Sequence, residues 1–374
     1  MGRLGQVFPT TLRHPLSCQH GFNYYCPNDW LWTFLVVINH AKEVKNDKKS
    51  IVLINLGGTI TSVHTQGGGL QSGTLTGSEL LKDMDLSSLA VDLKIKEVKS
   101  IPSNEMSLAD MADIAQAIEA EIEKGAQGIV LTHGTDTMEE TSYFVDLLLD
   151  TPVPVVFTGS QLSSQDLGYD GFSNIRDAVL TAASDDSYGK GTLLVFNQCI
   201  FTVNDVVKNN SIGLHAFESL NAGPLGVTYG GRVHYFRDYH PVKKFPVHLD
   251  QNFTPNVYLV KASLDFNPKM ITALVEAGAE GFVLEGFGVG SLPPALQDIL
   301  AQVIQKGIPV VLVAKANRGG VHKVYASKGA AIQLEEVGVI LDQGYLNGQH
   351  ARLKLIAMLN SPLKDNIADK WNKY

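Results

Sequence analysis

Two short polar stretches, each following an apolar run, hold the residue types most able to do chemistry. The first is Leu56-Gly57-Gly58-Thr59-Ile60-Thr61. The second is Leu131-Thr132-His133-Gly134-Thr135-Asp136-Thr137-Met138-Glu139-Glu140. Glycines after a strand let the backbone approach a ligand closely and turn N–H groups toward an anion. A hydroxyl directly after them, as at Thr59, is placed to be a nucleophile. It still needs a base, because an unassisted hydroxyl is a poor nucleophile at neutral pH. Thr135-Asp136 offers a second hydroxyl and a carboxylate, and a lysine of lowered pKa can accept the proton.

Each piece taken alone has a plainer reading. Gly57-Gly58 also suits a tight strand-to-helix turn, since the G-x-G-x-x-G spacing is absent. Thr135 or Thr137 also suits a helix N-cap, with Glu139 and Glu140 complementing the dipole from the first turn. On that reading both glutamates are exposed helix residues, and His133 is a structural hydrogen-bonder. An isolated lysine such as Lys208 reads as a solvated surface group.

These stretches need elements to position them. Ser50 to Leu56 is a short apolar run that suits a buried parallel strand. Ser107 to Lys124 carries apolar residues at Leu108, Met111, Ile114, Ile118 and Ile122, which is helical spacing. Ser107 is its candidate N-cap and Gly125 stands just past its end. Gly128 to Thr132 is a second strand, Thr137 to Asp150 a second helix, and Val153 to Thr158 and Thr192 to Asn197 two further strands. Strands alternating with helices mean βαβ units and a parallel sheet covered on both faces. Tyr239 to Asn256 has three prolines and little apolar periodicity, which marks a linker. The rhythm then resumes with Val257 to Val260, a helix near Pro268 to Ala277, Gly281 to Glu285, a helix from Pro294 to Lys306, and Pro309 to Ala314. The expected fold class is therefore α/β: a parallel-sheet N-terminal domain of residues 50–238, then, after the linker, a smaller C-terminal α/β domain of 257–374. In such open sheets ligands bind at the carboxyl ends of the strands, where both polar stretches fall.

The bulk properties agree. A chain of 374 residues exceeds the size at which one core stops growing, so two domains are expected. Hydrophobic residues at 44% and charged residues at 18% describe a folded globular chain and not a disordered one. A net charge of −8 without a block of like charges gives no footprint for nucleic acid or an acidic membrane. Cys18, Cys26 and Cys199 form neither a disulfide framework nor a zinc pattern. No histidine spacing suggests a metal site, so no metal is expected. The apolar run from Trp30 to Ile38 is far shorter than the ~20 residues needed to span a bilayer. Residues 1–49 read as an extension outside the fold.

The combination is far more specific than its parts. Gly57-Gly58-Thr59-Ile60 followed by Thr132-His133-Gly134-Thr135-Asp136-Thr137-Met138-Glu139-Glu140-Thr141 closely resembles the two signatures of bacterial-type L-asparaginases. Ile101-Pro102-Ser103-Asn104-Glu105-Met106 is similar to the family's substrate-carboxylate loop. Gly159-Ser160-Gln161 and the stretch from Asp170 to Ala178 resemble its next blocks, and Asp205 to Asn209 its lysine segment. The resemblance spans residues 49–374.

What it implies is an amidohydrolase that converts L-asparagine to L-aspartate and ammonia. By similarity Thr59 is the nucleophile that forms an acyl-enzyme. Thr135 and Lys208 relay a proton, and Asp136 binds the substrate ammonium. Ser103 and Asn104 hold the α-carboxylate, and backbone N–H groups at Gly58, Thr59 and Thr135 supply the oxyanion site. No cofactor is implied. A homodimer or homotetramer is, and the central blocks are closer to the cytoplasmic branch. The chain departs from the pattern on the loop after the first motif. Where many members carry an activating tyrosine, residues 65–74 contain none, and Leu70 holds the position. The triple glycine Gly67-Gly68-Gly69 predicts a flexible lid. Two other readings share these motifs: the ammonia-supplying subunit of a tRNA-dependent amidotransferase, and a non-catalytic amino-acid binding protein on the same scaffold.

Overall fold

The computed structural model describes residues 48–374 apart from positions 72, 83 and 251. The N-terminal extension up to residue 47, with its apolar run and with Cys18 and Cys26, lies outside the described residues.

An eight-stranded sheet forms from β1 (Lys49–Asn55), β2 (Val91–Glu97), β3 (Gly128–Thr132), β4 (Val155–Thr158), β5 (Thr192–Phe196), β6 (Cys199–Thr202), β9 (Gly226–Tyr229) and β10 (Arg232–Tyr235). A separate two-stranded ribbon holds β7 (Val206–Lys208) and β8 (Phe217–Ser219). The large sheet runs β10-β9-β6-β5-β4-β3-β1-β2. Alternation along the central strands splits the core in two. Val52 and Ile54 face α1 (Leu108–Glu123) and α2 (Met138–Leu148), while Ile51 and Leu53 face α3 (Gly171–Ala183). Helix α1 begins where the sequence places it, through a capping box. Ser107 Oγ accepts from Asp110 N at 3.2 Å, and Asp110 accepts from Ser107 N at 2.8 Å.

β2, β1, β3, β4 and β5 are mutually parallel, but β6, β9 and β10 each pair antiparallel with their neighbours. The sheet is therefore mainly parallel with an antiparallel edge. The expectation from strand–helix alternation misses that edge because two tight hairpins build it. Asn197 and Gln198, with φ of 49° and 65°, join β5 to β6. Gly230 and Gly231, with φ of 59° and 72°, join β9 to β10. Positive φ at both central residues matches the right-handed twist of the flanking strands.

The C-terminal part carries a four-stranded parallel sheet: β11 (Val257–Lys261), β12 (Gly281–Gly286), β13 (Val310–Ala314) and β14 (Ile340–Leu341). α4 (Lys269–Glu276) and α5 (Pro294–Gln305) flank it, and α6 (Gly348–Leu359) packs against both α2 and this sheet. Among its described residues the proline-rich stretch from Tyr239 has no helix or strand, yet it is not a free tether. Phe245 and Phe253 are buried, against Tyr374 and Phe144 respectively. Among the described residues no helix is long and apolar enough to cross a membrane.

Candidate active site

The chain leaves β1 toward β2 on one side and returns to β3 on the other. This reversal makes a switch point, and because β1 and β3 are parallel their following loops emerge together. Asn55, the last residue of β1, ties the three strands across their ends. Its Oδ1 accepts from Thr132 Oγ1 at 2.8 Å, and its Nδ2 donates to Glu97 at 2.7 Å.

Glycine then allows three loops to touch. A Cβ on Gly57 would stand 3.2 Å from Ile101 N and O, one on Gly58 2.4 Å from Gly134 N, and one on Gly134 2.7 Å from Ser103 Oγ. Any larger residue would force the loops of Thr59, Ser103 and Thr135 apart. Thr59 itself is half-buried and opens a short 3₁₀ turn, Thr59–Thr61. Gly58 O is taken by Thr61 N at 3.1 Å, Thr61 Oγ1 at 3.1 Å and Ser62 Oγ at 2.9 Å, so that carbonyl is engaged within the turn. Ser103 is buried at the start of another 3₁₀ turn, and Asn104 beside it is exposed.

Lys208 ends β7. Its Nζ donates to Thr135 Oγ1 at 2.8 Å and to Asp136 Oδ1 at 2.6 Å, and its side chain is 14% exposed. This lysine is thus not a solvated surface group, because the ribbon lays it over the loop after β3. Asp136 stays open to solvent, with its side chain 71% exposed. Thr135 Oγ1 donates in turn to Gln161 Oε1 at 3.0 Å. Gln161 sits on a mount of its own: Asp170 accepts from the main-chain N of Gln161 and of Leu162 and from Asn174 Nδ2. From the sequence, Gln161 stands only within the block Gly159-Ser160-Gln161, without a role of its own. Its place directly after the end of β4 is the signal that could have singled it out.

Thr137 occupies the N-cap position of α2, but its hydroxyl caps nothing. It donates instead to Ser103 O at 2.7 Å. Glu139 corrects the expectation of an exposed helix residue. It is 7% exposed, because the first turn of α2 faces the ribbon and α6, and it accepts a hydrogen bond from Lys208 N. Burial pushes its carboxyl up to about 7. Glu140 is half-buried. His133 is buried with Nδ1 2.7 Å from Gly134 O, and burial drives its imidazole down to about 4, which keeps it neutral. Leu70 is exposed on a hairpin pairing Val63–His64 with Leu70–Gln71. Among the described residues no group of three or more histidine, cysteine or acidic side chains is placed to hold a metal ion.

This arrangement pairs one hydroxyl after a glycine turn with a second hydroxyl held by lysine and glutamine. A carboxylate and a buried serine stand at the rim. The family model described as "Asparaginase, N-terminal" matches residues 50–240, and that for the "Glutaminase/Asparaginase C-terminal domain" matches 256–370. The chain belongs to the asparaginase family. It is 38% identical over 326 residues to an L-asparaginase of Bacillus licheniformis, covering 86% of this chain and 99% of that one. It is 29% identical over 297 residues to a glutaminase-asparaginase of Pseudomonas fluorescens biotype A, covering 76% and 81%. The solved structure of a probable cytoplasmic L-asparaginase from Campylobacter jejuni superposes with a TM-score of 0.77 at 28% identity, covering 87% of this chain and all of that one. The asparaginase fold thus accounts for both sheets described above.

Proposed function

We propose that this asparaginase-family chain is an L-asparaginase, hydrolysing the side-chain amide of L-asparagine to L-aspartate and ammonia. The observation that carries the reading is the contact of Lys208 Nζ with both Thr135 Oγ1 and Asp136 Oδ1 beside the Gly58–Thr59 turn. Thr59 Oγ attacks the amide carbon, and its proton passes by way of Thr135 and Lys208 to the departing nitrogen, which leaves as ammonia. Water then opens the Thr59 ester and releases aspartate. Among the described residues the main-chain N–H groups of Gly58, Thr59 and Thr135 have no partner, which suits them to a developing oxyanion. Asp136 takes the substrate ammonium, and Ser103 with Asn104 takes the α-carboxylate. On this reading residues 50–238 form the catalytic domain, 239–256 the linker and 257–374 the second α/β domain. The enzyme works in the cytoplasm as a homodimer or homotetramer.

The test is ammonia release from L-asparagine and, in parallel, from L-glutamine, with Thr59→Ala as control. Release from asparagine that disappears in the variant is expected. Comparable turnover of glutamine would widen the substrate class, since one methylene alters selectivity by only about 1–3 kcal/mol. No release from either amide would sink the proposal.

A further inference from the structure

One stretch of chain grips Lys208 at both of its ends. Thr135 and Asp136 hold the ammonium, and Glu139, one turn further on, accepts from the main-chain N of the same lysine. We propose that Glu139 is a positioning residue for Lys208, fixing the lysine main chain against α2 so that Nζ reaches Thr135. The proposal rests on the reading of Lys208 as the proton relay.

The need for such an anchor follows from the topology. The ribbon that carries Lys208 has three residues per strand and pairs with neither larger sheet. A two-stranded ribbon is at best marginal by itself, so sheet hydrogen bonds do not set its distance from α2. Apolar packing of Val206 and Phe217 seats the ribbon on the core, and the Glu139 carboxylate fixes the main chain of Lys208 itself. A residue kept there only for packing would be apolar, because burying a carboxylate costs stability unless hydrogen bonds offset it. Glu139 also lines a cavity of about 190 Å³ that Lys208 borders. The charged and titratable groups around it are Glu140 on its own helix, Lys208 on the ribbon, His350 on α6, and Lys261, Glu285, Lys315 and Arg318 across the cavity. The ionised carboxylate is the stronger acceptor, and burial holds the transition at about 7. Protonation therefore loosens the anchor as pH falls through about 7.

The experiment measures kcat and KM for ammonia release from L-asparagine on either side of that pH, in wild type, Glu139→Gln, Glu139→Met and Lys208→Met. Methionine keeps the volume and removes the acceptor. It should lower kcat by about 10- to 100-fold, as a misplaced catalytic group does, with KM shifted by less than about threefold. Glutamine keeps an acceptor oxygen without a titrating proton. It should restore kcat to within about threefold of wild type and abolish the rise of kcat with pH through about 7. Full kcat in folded Glu139→Met, or a wild-type pH profile in Glu139→Gln, overturns the proposal. If Glu139→Met does not fold, the glutamine profile decides alone. Undiminished activity in Lys208→Met would instead sink the relay reading, separately from any result at Glu139.

Discussion

Thr137 Oγ1 donates to the main-chain carbonyl of Ser103 at 2.7 Å, joining the start of α2 to the loop after β2. The two halves of the candidate site, the hydroxyl cluster and the serine loop, are thus coupled by one neutral hydrogen bond. Such a bond contributes about 0.5–1.5 kcal/mol. Thr137→Val keeps the shape and removes the donor, so KM for L-asparagine should rise by about 3- to 10-fold with kcat changed less. Steady-state kinetics of the variant decide it, and an unchanged KM would mean that the loop is held by other contacts.

Gly58 has φ 91° and ψ −175°, a region open essentially to glycine alone. A Cβ there would also meet Gly134 N at 2.4 Å. Gly58→Ala should lose about 2–4 kcal/mol of stability from strain and overpacking together, and its activity should fall as the loops separate. A thermal melt beside an activity assay checks both. Alanine tolerated without loss would refute the close approach of the two loops.

Burial lowers the His133 and His350 imidazoles from 6.5 to about 4. The unfolded chain then binds more protons than the folded one between those values, so stability rises with pH across that window. The contribution is fully present above 6.5 and is lost as pH falls through about 4. Each histidine contributes up to about 3 kcal/mol. Glu139 has the opposite sign: its carboxyl is raised from 4.5 to about 7, so its contribution is lost as pH rises through about 7. From neutral pH to pH 5 the Glu139 gain offsets about one histidine, so urea unfolding should show a net acid loss of about one histidine's contribution. His350→Phe, which can still stack on Tyr143, should remove most of that net loss. An acid dependence identical to wild type would rule His350 out as a source.

Phe253 lies in the proline-rich stretch but is 8% exposed and meets Phe144 of α2 edge-on at 5.3 Å. Phe253→Ala should cost about 3–5 kcal/mol, as for a core phenylalanine. A solvated tether residue would cost less than about 0.5 kcal/mol. Denaturant midpoints separate the two cases.

Much of this was legible without coordinates, because it depends on neighbours in the chain. The apolar runs at β1, β3 and β13, the helical spacing of α1 with its Ser107 cap, and the glycine turn before Thr59 are all local signals. The Asn197-Gln198 hairpin was not legible, since its residues lack the usual glycine at a turn needing positive φ twice. The Gly230-Gly231 turn carried that signal plainly. The α/β alternation and the residue types available at the ends of two strands follow from the order of residues along the chain. The tertiary structure alone decided that Lys208 crosses to Thr135 and Asp136, that Glu139 is buried beneath it, and that Phe245 and Phe253 turn a loop into core. Those outcomes depend on pairs about 70 or more positions apart, or on which face of a loop meets a helix. No periodicity or local propensity encodes such distances, and they follow only from how the layers pack.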